Sequence, residues 1–375
     1  MRQLRASTAI RDDTGPHSAT VALRIRQRPP LLETASAALR WWRAPFWFLA
    51  LFTGAKSFRD NPILGSQALN RAGLHVWRLK AAHALAGWRR RRLARFVPEH
   101  LRRQFDRDGF VVVPNVLPPE QFAALQRAIF TAELACRSQT QGDTITRRVP
   151  FGPELGRRFP VLSELLHSRG WRALLAYGAS TRARPLYYIQ TISAGAIESP
   201  PDPQTELHSD TFHPSLKAWL FLTDVAEDGP PLTYVAGSHR LSAERIAWER
   251  RRSINVLEDG DPLSQRGSLR IKPHELEQIG LPQPTRFCVP ANTLVIVDTC
   301  GFHARGRSSR HCVRVELWGY CRRNPFLPWI GGLLASPALA DRRMEWLYRL
   351  LDWLDARGLR NQHWKPAGAR RPGDS

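Results

Sequence analysis

The stretch ANTLVIVDTCGFHARGRSSRHCVRVELWGY, residues 291–320, decides the fold. It opens on an apolar run, Leu294 to Val297, passes through a turn bearing His303, and resumes as an alternating run in which Cys312, Arg314 and Glu316 share one face. Side chains alternate across a strand with period two, so this text reads as two strands joined by a polar turn. An arginine inside a strand of otherwise apolar character asks for an anion, because its guanidinium is a permanently charged planar fork suited to a carboxylate.

Working outward, the same grammar recurs in PLYYIQTIS (185–193), LKAWLFLTDV (216–225), LTYVAGSHR (232–240) and TRFCVPANTLVIVD (285–298). Short strands bounded by Gly, Pro and Asn, with few long helical stretches among them, define an antiparallel sandwich or barrel. The fold class is therefore mainly β with flanking helices. The barrel region opens at FDRDGFVVVPNVLPPEQFAALQRAIFTAEL, where Val111 to Val113 form a short strand and Pro118 and Pro119 open a helix.

Beyond residue 323 the text turns helical, and MEWLYRLLDWLDARG sets Trp346, Leu347, Leu350, Leu351 and Leu354 at the spacing of a face that packs on the barrel. The last dozen residues read as loose. The organisation is thus an arm over 1–35, a basic Trp-rich helical segment over 36–97, a barrel domain over 98–323, and a helical segment and tail over 324–375.

Of the 375 residues, 43% are hydrophobic, too many for a largely disordered chain. Five cysteines without a C-x-x-C pair make no disulfide framework, which points to a reducing, cytoplasmic setting. The net charge is +22, and the first 100 residues hold 18 Lys and Arg against 5 Asp and Glu. Two partners suit such a segment: nucleic acid phosphates or an anionic membrane surface.

Between Arg43 and Lys56 lies an apolar, aromatic-rich run too short to span a bilayer. It reads either as a buried helix or as an interfacial anchor at the inner face of a membrane, for which Trp41, Trp42 and Trp47 are suited. WRRRRLAR, residues 88–95, would serve either kind of polyanion, but no nucleic-acid module surrounds it.

The chemistry concentrates in LHSDTFHPSLKAWLFLTDV, residues 207–225. Read as a strand, His208 and Asp210 project side by side, two ligands suited to a hard metal ion. A lone H-x-D is weak, but His303 upstream of Arg314 adds a second histidine. Two histidines and one carboxylate on one side of an iron leave open positions for a co-substrate and dioxygen.

In this combination the sequence resembles the phytanoyl-CoA dioxygenase-like family of Fe(II)/2-oxoglutarate-dependent oxygenases, over about residues 103–322. The resemblance rests on DGFVVVPNVLPPEQ, on His208-Ser209-Asp210 with Trp219 in the following strand, on EDGPPLTYVAGSHR, and on the spacing from His303 to Arg314. It implies a double-stranded β-helix of the jelly-roll or cupin kind, with Fe(II) on His208, Asp210 and His303. It further implies 2-oxoglutarate held by Arg314 beside Trp219, and O2 as oxidant. The activity implied is hydroxylation of a small molecule coupled to conversion of 2-oxoglutarate to succinate and carbon dioxide.

The intact Asp210 sets the chain apart from halogenating relatives. Arg305, two positions after His303, departs from the small polar residue of some members, and Arg307 and Arg310 are rival clamps. His213 and His239 read as a residue at the mouth of the site and a turn residue. Two other readings stay open: a non-catalytic basic docking protein on a barrel scaffold, and a metal-dependent hydrolase or isomerase, which would give Arg314 no task.

Overall fold

The computed structural model describes residues 41–327 and 337–374. The 1–35 arm lies outside them. The chain divides into Met1–Pro45 and a compact unit, Phe46–Ser375. Trp41–Arg43 is one turn of 3-10 helix, and the basic segment continues in Ala44–Leu49, Gln67–Arg71 and the long helix Leu74–Leu93.

Eleven strands follow among the described residues: β1 Phe110–Val113, β2 Leu134–Gln141, β3 Thr144–Pro150, β4 Leu186–Ala194, β5 Leu216–Phe221, β6 Leu232–Tyr234, β7 Thr285–Phe287, β8 Leu294–Asp298, β9 His303–Arg305, β10 Cys312–Cys321 and β11 Lys365–Arg370. They form an eight-stranded sheet in the order β1-β8-β5-β10-β4-β3-β2-β11 and a three-stranded sheet β7-β6-β9. Every named pairing is antiparallel.

Alternation within the strands builds two cores. Leu294 and Ile296 of β8, with Val315 and Leu317 of β10, face a cluster completed by Leu162, Trp171 and Leu175 from helices. Val295 and Val297, with Trp219, Phe221 and Trp318, face the other way and meet Leu232, Tyr234 and Phe287 of the small sheet. The apolar run of β8 is continuous because both of its faces are covered. Two sheets enclosing an interior, with helices outside, are the mainly-β double-stranded β-helix that the sequence implied.

Two readings need correction. The tail is not loose throughout, since β11 pairs with β2. On the helix Pro337–Ala356, Trp346 (50% exposed), Leu347 and Leu350 face outward, while Tyr348 is buried. Arg137 binds Asp352 and lies 4.3 Å over the Tyr348 ring. Apolar residues occur almost all round this helix, so hydrophobic spacing alone did not select its inner face.

Candidate metal centre

The residues from His208 to Asp210 do not form a regular strand; β5 begins only at Leu216. Instead His208 makes an isolated bridge directly opposite His303, at the start of β9. The His208 N–H donates to the His303 carbonyl at 3.0 Å, and the His303 N–H returns the bond at 2.9 Å. Pairing of His208 with β9, rather than alternation along one strand, brings the two imidazoles together, with ring centroids 4.6 Å apart. Asp210 is fixed by its own N–H, which donates to the Thr299 carbonyl at 2.9 Å.

One ligand atom from each of His208, Asp210 and His303 lies within 4.8 Å of the others. Both Nε2 atoms stand 3.7 Å from Asp210 Oδ1. Each histidine uses its other nitrogen on a backbone carbonyl: His208 Nδ1 with Glu206 O at 2.7 Å, and His303 Nδ1 with Gly301 O at 3.0 Å. That bond places the ring proton on Nδ1 and turns the Nε2 lone pair inward, the orientation that metal-binding histidines need. The His303 Nε2 is buried and has no hydrogen-bond partner, which fits a group whose partner is a metal ion.

The electrostatics suit a cation as well. Burial pushes the His303 imidazole down to about 3, so the ring is neutral and its lone pair available. Burial would raise the Asp210 carboxyl, but Lys217 beside it, with His303 and His208, outweighs this and holds it well below the usual carboxylate range. Lys217 Nζ lies 2.7 Å from Asp210 Oδ2, leaving Oδ1 to the histidines. From the basic segment, Lys56 Nζ donates to the Asp210 backbone carbonyl, and burial lowers this amine to about 8.

Arg314 is buried in β10 and shares its face with Glu316, as the alternation requires. Its Nε donates to Glu316 Oε2 at 2.8 Å and its Nη1 to the Pro230 carbonyl. The anion that the sequence asked for is thus supplied, at least through Nε, by the chain itself. Glu316 accepts in turn from Gln190 Nε2 at 2.5 Å, and Gln190 Oε1 accepts from Arg148 Nε at 2.6 Å. Trp219 is buried in the interior cluster beside Phe221 and Trp318.

The rival arginines are occupied elsewhere or exposed. Arg310 pairs with Asp228 at 2.5 Å, Arg305 pairs with buried Asp202 at 2.5 Å, and Arg307 is exposed. His213 is buried with Nδ1 on the Pro214 carbonyl, and His239 sits buried in its turn; neither joins the three clustered ligands.

Sequence reasoning missed Lys56, Lys217, Gln190 and Arg148, and it placed Glu316 on the face of Arg314 without pairing the two. For Lys217 a signal existed: it precedes Trp219 by two residues, so both point into the same interior. Lys56 had no such signal, because its contact crosses 154 residues of chain.

Residues 105–261 match the family model described as Phytanoyl-CoA dioxygenase (PhyH). The match takes in His208 and Asp210 and ends before His303 and Arg314. Over these residues the chain is similar to the phytanoyl-CoA dioxygenase family. No curated protein matches the chain.

Among solved structures, the chain is similar to the non-heme alpha ketoglutarate dependent epimerase SnoN from nogalamycin biosynthesis, at 22% identity and TM-score 0.39, over 59% of this chain and 81% of that one. It is similar to HygX from Streptomyces hygroscopicus with nickel and 2-oxoglutarate bound, at 16% identity and TM-score 0.38, over 60% and 86%. It is also similar to the carbocyclase SnoK from nogalamycin biosynthesis, at 17% identity and TM-score 0.36, over 60% and 83%.

Proposed function

We propose that this protein is an Fe(II)- and 2-oxoglutarate-dependent dioxygenase that hydroxylates an amphiphilic small molecule beside an anionic membrane surface. His208, Asp210 and His303 hold the iron, Arg314 holds the distal carboxylate of 2-oxoglutarate, Trp219 lines that pocket, and residues 98–323 form the catalytic domain. The observation that carries this reading is the convergence of the three ligands with an unpartnered, inward-facing His303 Nε2.

Bound iron would supply activation of dioxygen with the keto acid as reductant. The protein's part is to orient and exclude. The Glu206 and Gly301 carbonyls fix the tautomers of the two histidines, and Lys217 holds the free oxygen of Asp210. Glu316 steadies Arg314 through Nε, so that Nη2, which makes none of the hydrogen bonds described above, can turn to a dianion. Trp219 and Phe221 keep water from the interior.

The test is Fe(II)-dependent formation of succinate from 2-oxoglutarate by the full chain. We expect turnover to be present, and Arg314→Ala to raise the KM for 2-oxoglutarate at least about tenfold, since losing a hydrogen bond between charged groups costs roughly 1.5–3 kcal/mol. Undiminished turnover at low 2-oxoglutarate would remove Arg314 from its role. Absence of both bound iron and succinate would leave the docking reading.

The membrane half rests on the basic segment. Residues 44–97 contain one acidic residue, Asp60, against ten Lys and Arg. Phe48 (56%), Leu49 (60%), Phe52 (40%), Trp77 (50%) and Trp88 (44%) are exposed there, and Lys80, Arg91 and Arg92 are exposed on the same helix as Trp77. Aromatic side chains among cations suit an anionic interface. No described helix is long and apolar enough to cross a membrane.

Vesicles with about one third phosphatidylserine should bind the protein at low salt and release it as salt rises, in line with screening of surface charge. A Phe48→Asp, Trp77→Asp chain should bind at least tenfold more weakly. Equal binding to neutral vesicles, or no effect of the two changes, would exclude the segment as the anchor.

A further inference from the structure

A wide cavity lies away from the iron ligands. A space of about 1650 Å³ opens on the outside of the barrel, between the β2–β3 hairpin, the helices Pro160–His167 and Arg169–Gly178, and the helix Pro337–Ala356. Neither the three ligands nor Arg314 line it. Its volume exceeds the roughly 300–1,000 Å³ of ordinary small-molecule pockets.

The lining has two chemistries. The depth is apolar, with Leu134, Val149, Leu166 and Leu175 belonging to the buried core. The wall carries eight arginines against three glutamates. Several arginines are satisfied internally: Arg137 by Asp352, Arg349 by Glu345, Arg158 by the Glu133 carbonyl. Arg172 and Arg182 are exposed and, among the described residues, have no carboxylate partner. Arg182 rests 5.5 Å over the Phe96 ring at the cavity edge.

We infer that this cavity is a binding site for a single-chain amphiphile with an anionic head: a hydrocarbon chain on the apolar floor, and a phosphate or carboxylate among Arg172 and Arg182. Burial of the chain supplies affinity in proportion to apolar area, and the guanidinia, which lack an internal counter-ion, supply preference for the anion. The inference stands on the cavity alone and is independent of whether the iron site turns over.

The experiment is calorimetric titration of the full chain, below the critical micelle concentrations, with dodecyl phosphate, laurate and dodecanol as probes. We expect one dodecyl phosphate per chain and binding at least tenfold weaker for dodecanol. Laurate binding near dodecyl phosphate would indicate a site for either anion, and much weaker laurate binding a phosphate site.

Arg172→Glu with Arg182→Glu, both at exposed positions, should weaken the anions at least tenfold and leave dodecanol unchanged. Ala173→Trp, from a half-buried position on the cavity wall, should weaken all three. His208→Ala should bind dodecyl phosphate as the parent does. Equal affinity for dodecanol, loss of binding in His208→Ala, or indifference to both the Arg and the Ala173 changes would each overturn the assignment.

Discussion

Asp210→Ala is expected to lower iron binding at least tenfold and to reduce Fe(II)-dependent succinate formation by more than about 100-fold, since even residues that only orient a metal ligand typically cost 10–100-fold. The loss is larger than one ligand's share because of what remains. Lys217, 2.7 Å from Oδ2 in the intact protein, would face the two imidazoles with no anion between them. The site would turn from one carboxylate balancing a lysine into an unbalanced cation, which repels a divalent ion. His303→Ala removes a neutral ligand and leaves the Asp210–Lys217 pair intact, so the charge reversal is specific to Asp210.

Iron stoichiometry of the purified chain, measured with each variant, separates the two effects. Asp210→Ala should hold less than a tenth of the parent's metal, and Asp210→Glu should recover part of it. A variant that keeps full iron and full turnover without Asp210 would remove this carboxylate from the site. The carboxyl is ionised throughout the ordinary pH range because Lys217 and the histidines hold it well below the usual carboxylate values. A protonated Asp210 is therefore not an alternative explanation near neutral pH.

How much of this was legible in the sequence differs by element. The β4, β5, β8 and β10 strands stood out because their β-branched and aromatic runs end at turn residues, and the register of β10 follows from alternation alone. The β2–β3 hairpin was missed, although Gly142-Asp143 between Gln141 and Thr144 is a two-residue hairpin turn. Its strands are polar and rich in Arg, Thr and Gln, which hid the apolar period. β11, KPAGAR, has almost no strand propensity and is ordered by pairing with β2.

In the site, His208, Asp210 and His303 were readable as residue types, but their meeting was not a property of one strand. It depends on a bridge between segments 95 residues apart in the chain. Glu316 shows the opposite error: its place on the face of Arg314 was read correctly, but not that it would bind that arginine. Alternation fixes direction, whereas pairing needs the third dimension.

The largest expected loss of stability lies at Asp298, five residues before His303. Its carboxylate is fully buried at the end of β8 and meets Arg90 Nη2 at 2.7 Å. Its Oδ1 accepts from Ser215 N at 3.1 Å and from Cys300 N at 3.2 Å, and its backbone carbonyl accepts from Tyr234 Oη at 2.9 Å. Arg90 also donates to the Gly178 carbonyl at 2.7 Å and lies 5.0 Å over the Phe105 ring. This pair ties the long basic helix to the turn that delivers His303.

Asp298→Ala strips a partly buried guanidinium of its counter-ion and leaves two backbone donors unpaired. The expected cost is about 3–5 kcal/mol, the range for breaking a buried ion pair by removing one partner. Arg90→Ala should cost about 3 kcal/mol, since the carboxylate keeps its two N–H donors. The double variant should cost less than the two singles added, because the second change removes the charge that the first left stranded. Urea unfolding monitored by tryptophan fluorescence gives all three values. Full additivity, or a loss under about 1 kcal/mol for Asp298→Ala, would show that the pair does not hold the turn. If it does, His303 is set loose along with it, and the Asp298 variant should bind iron more weakly even where it remains folded.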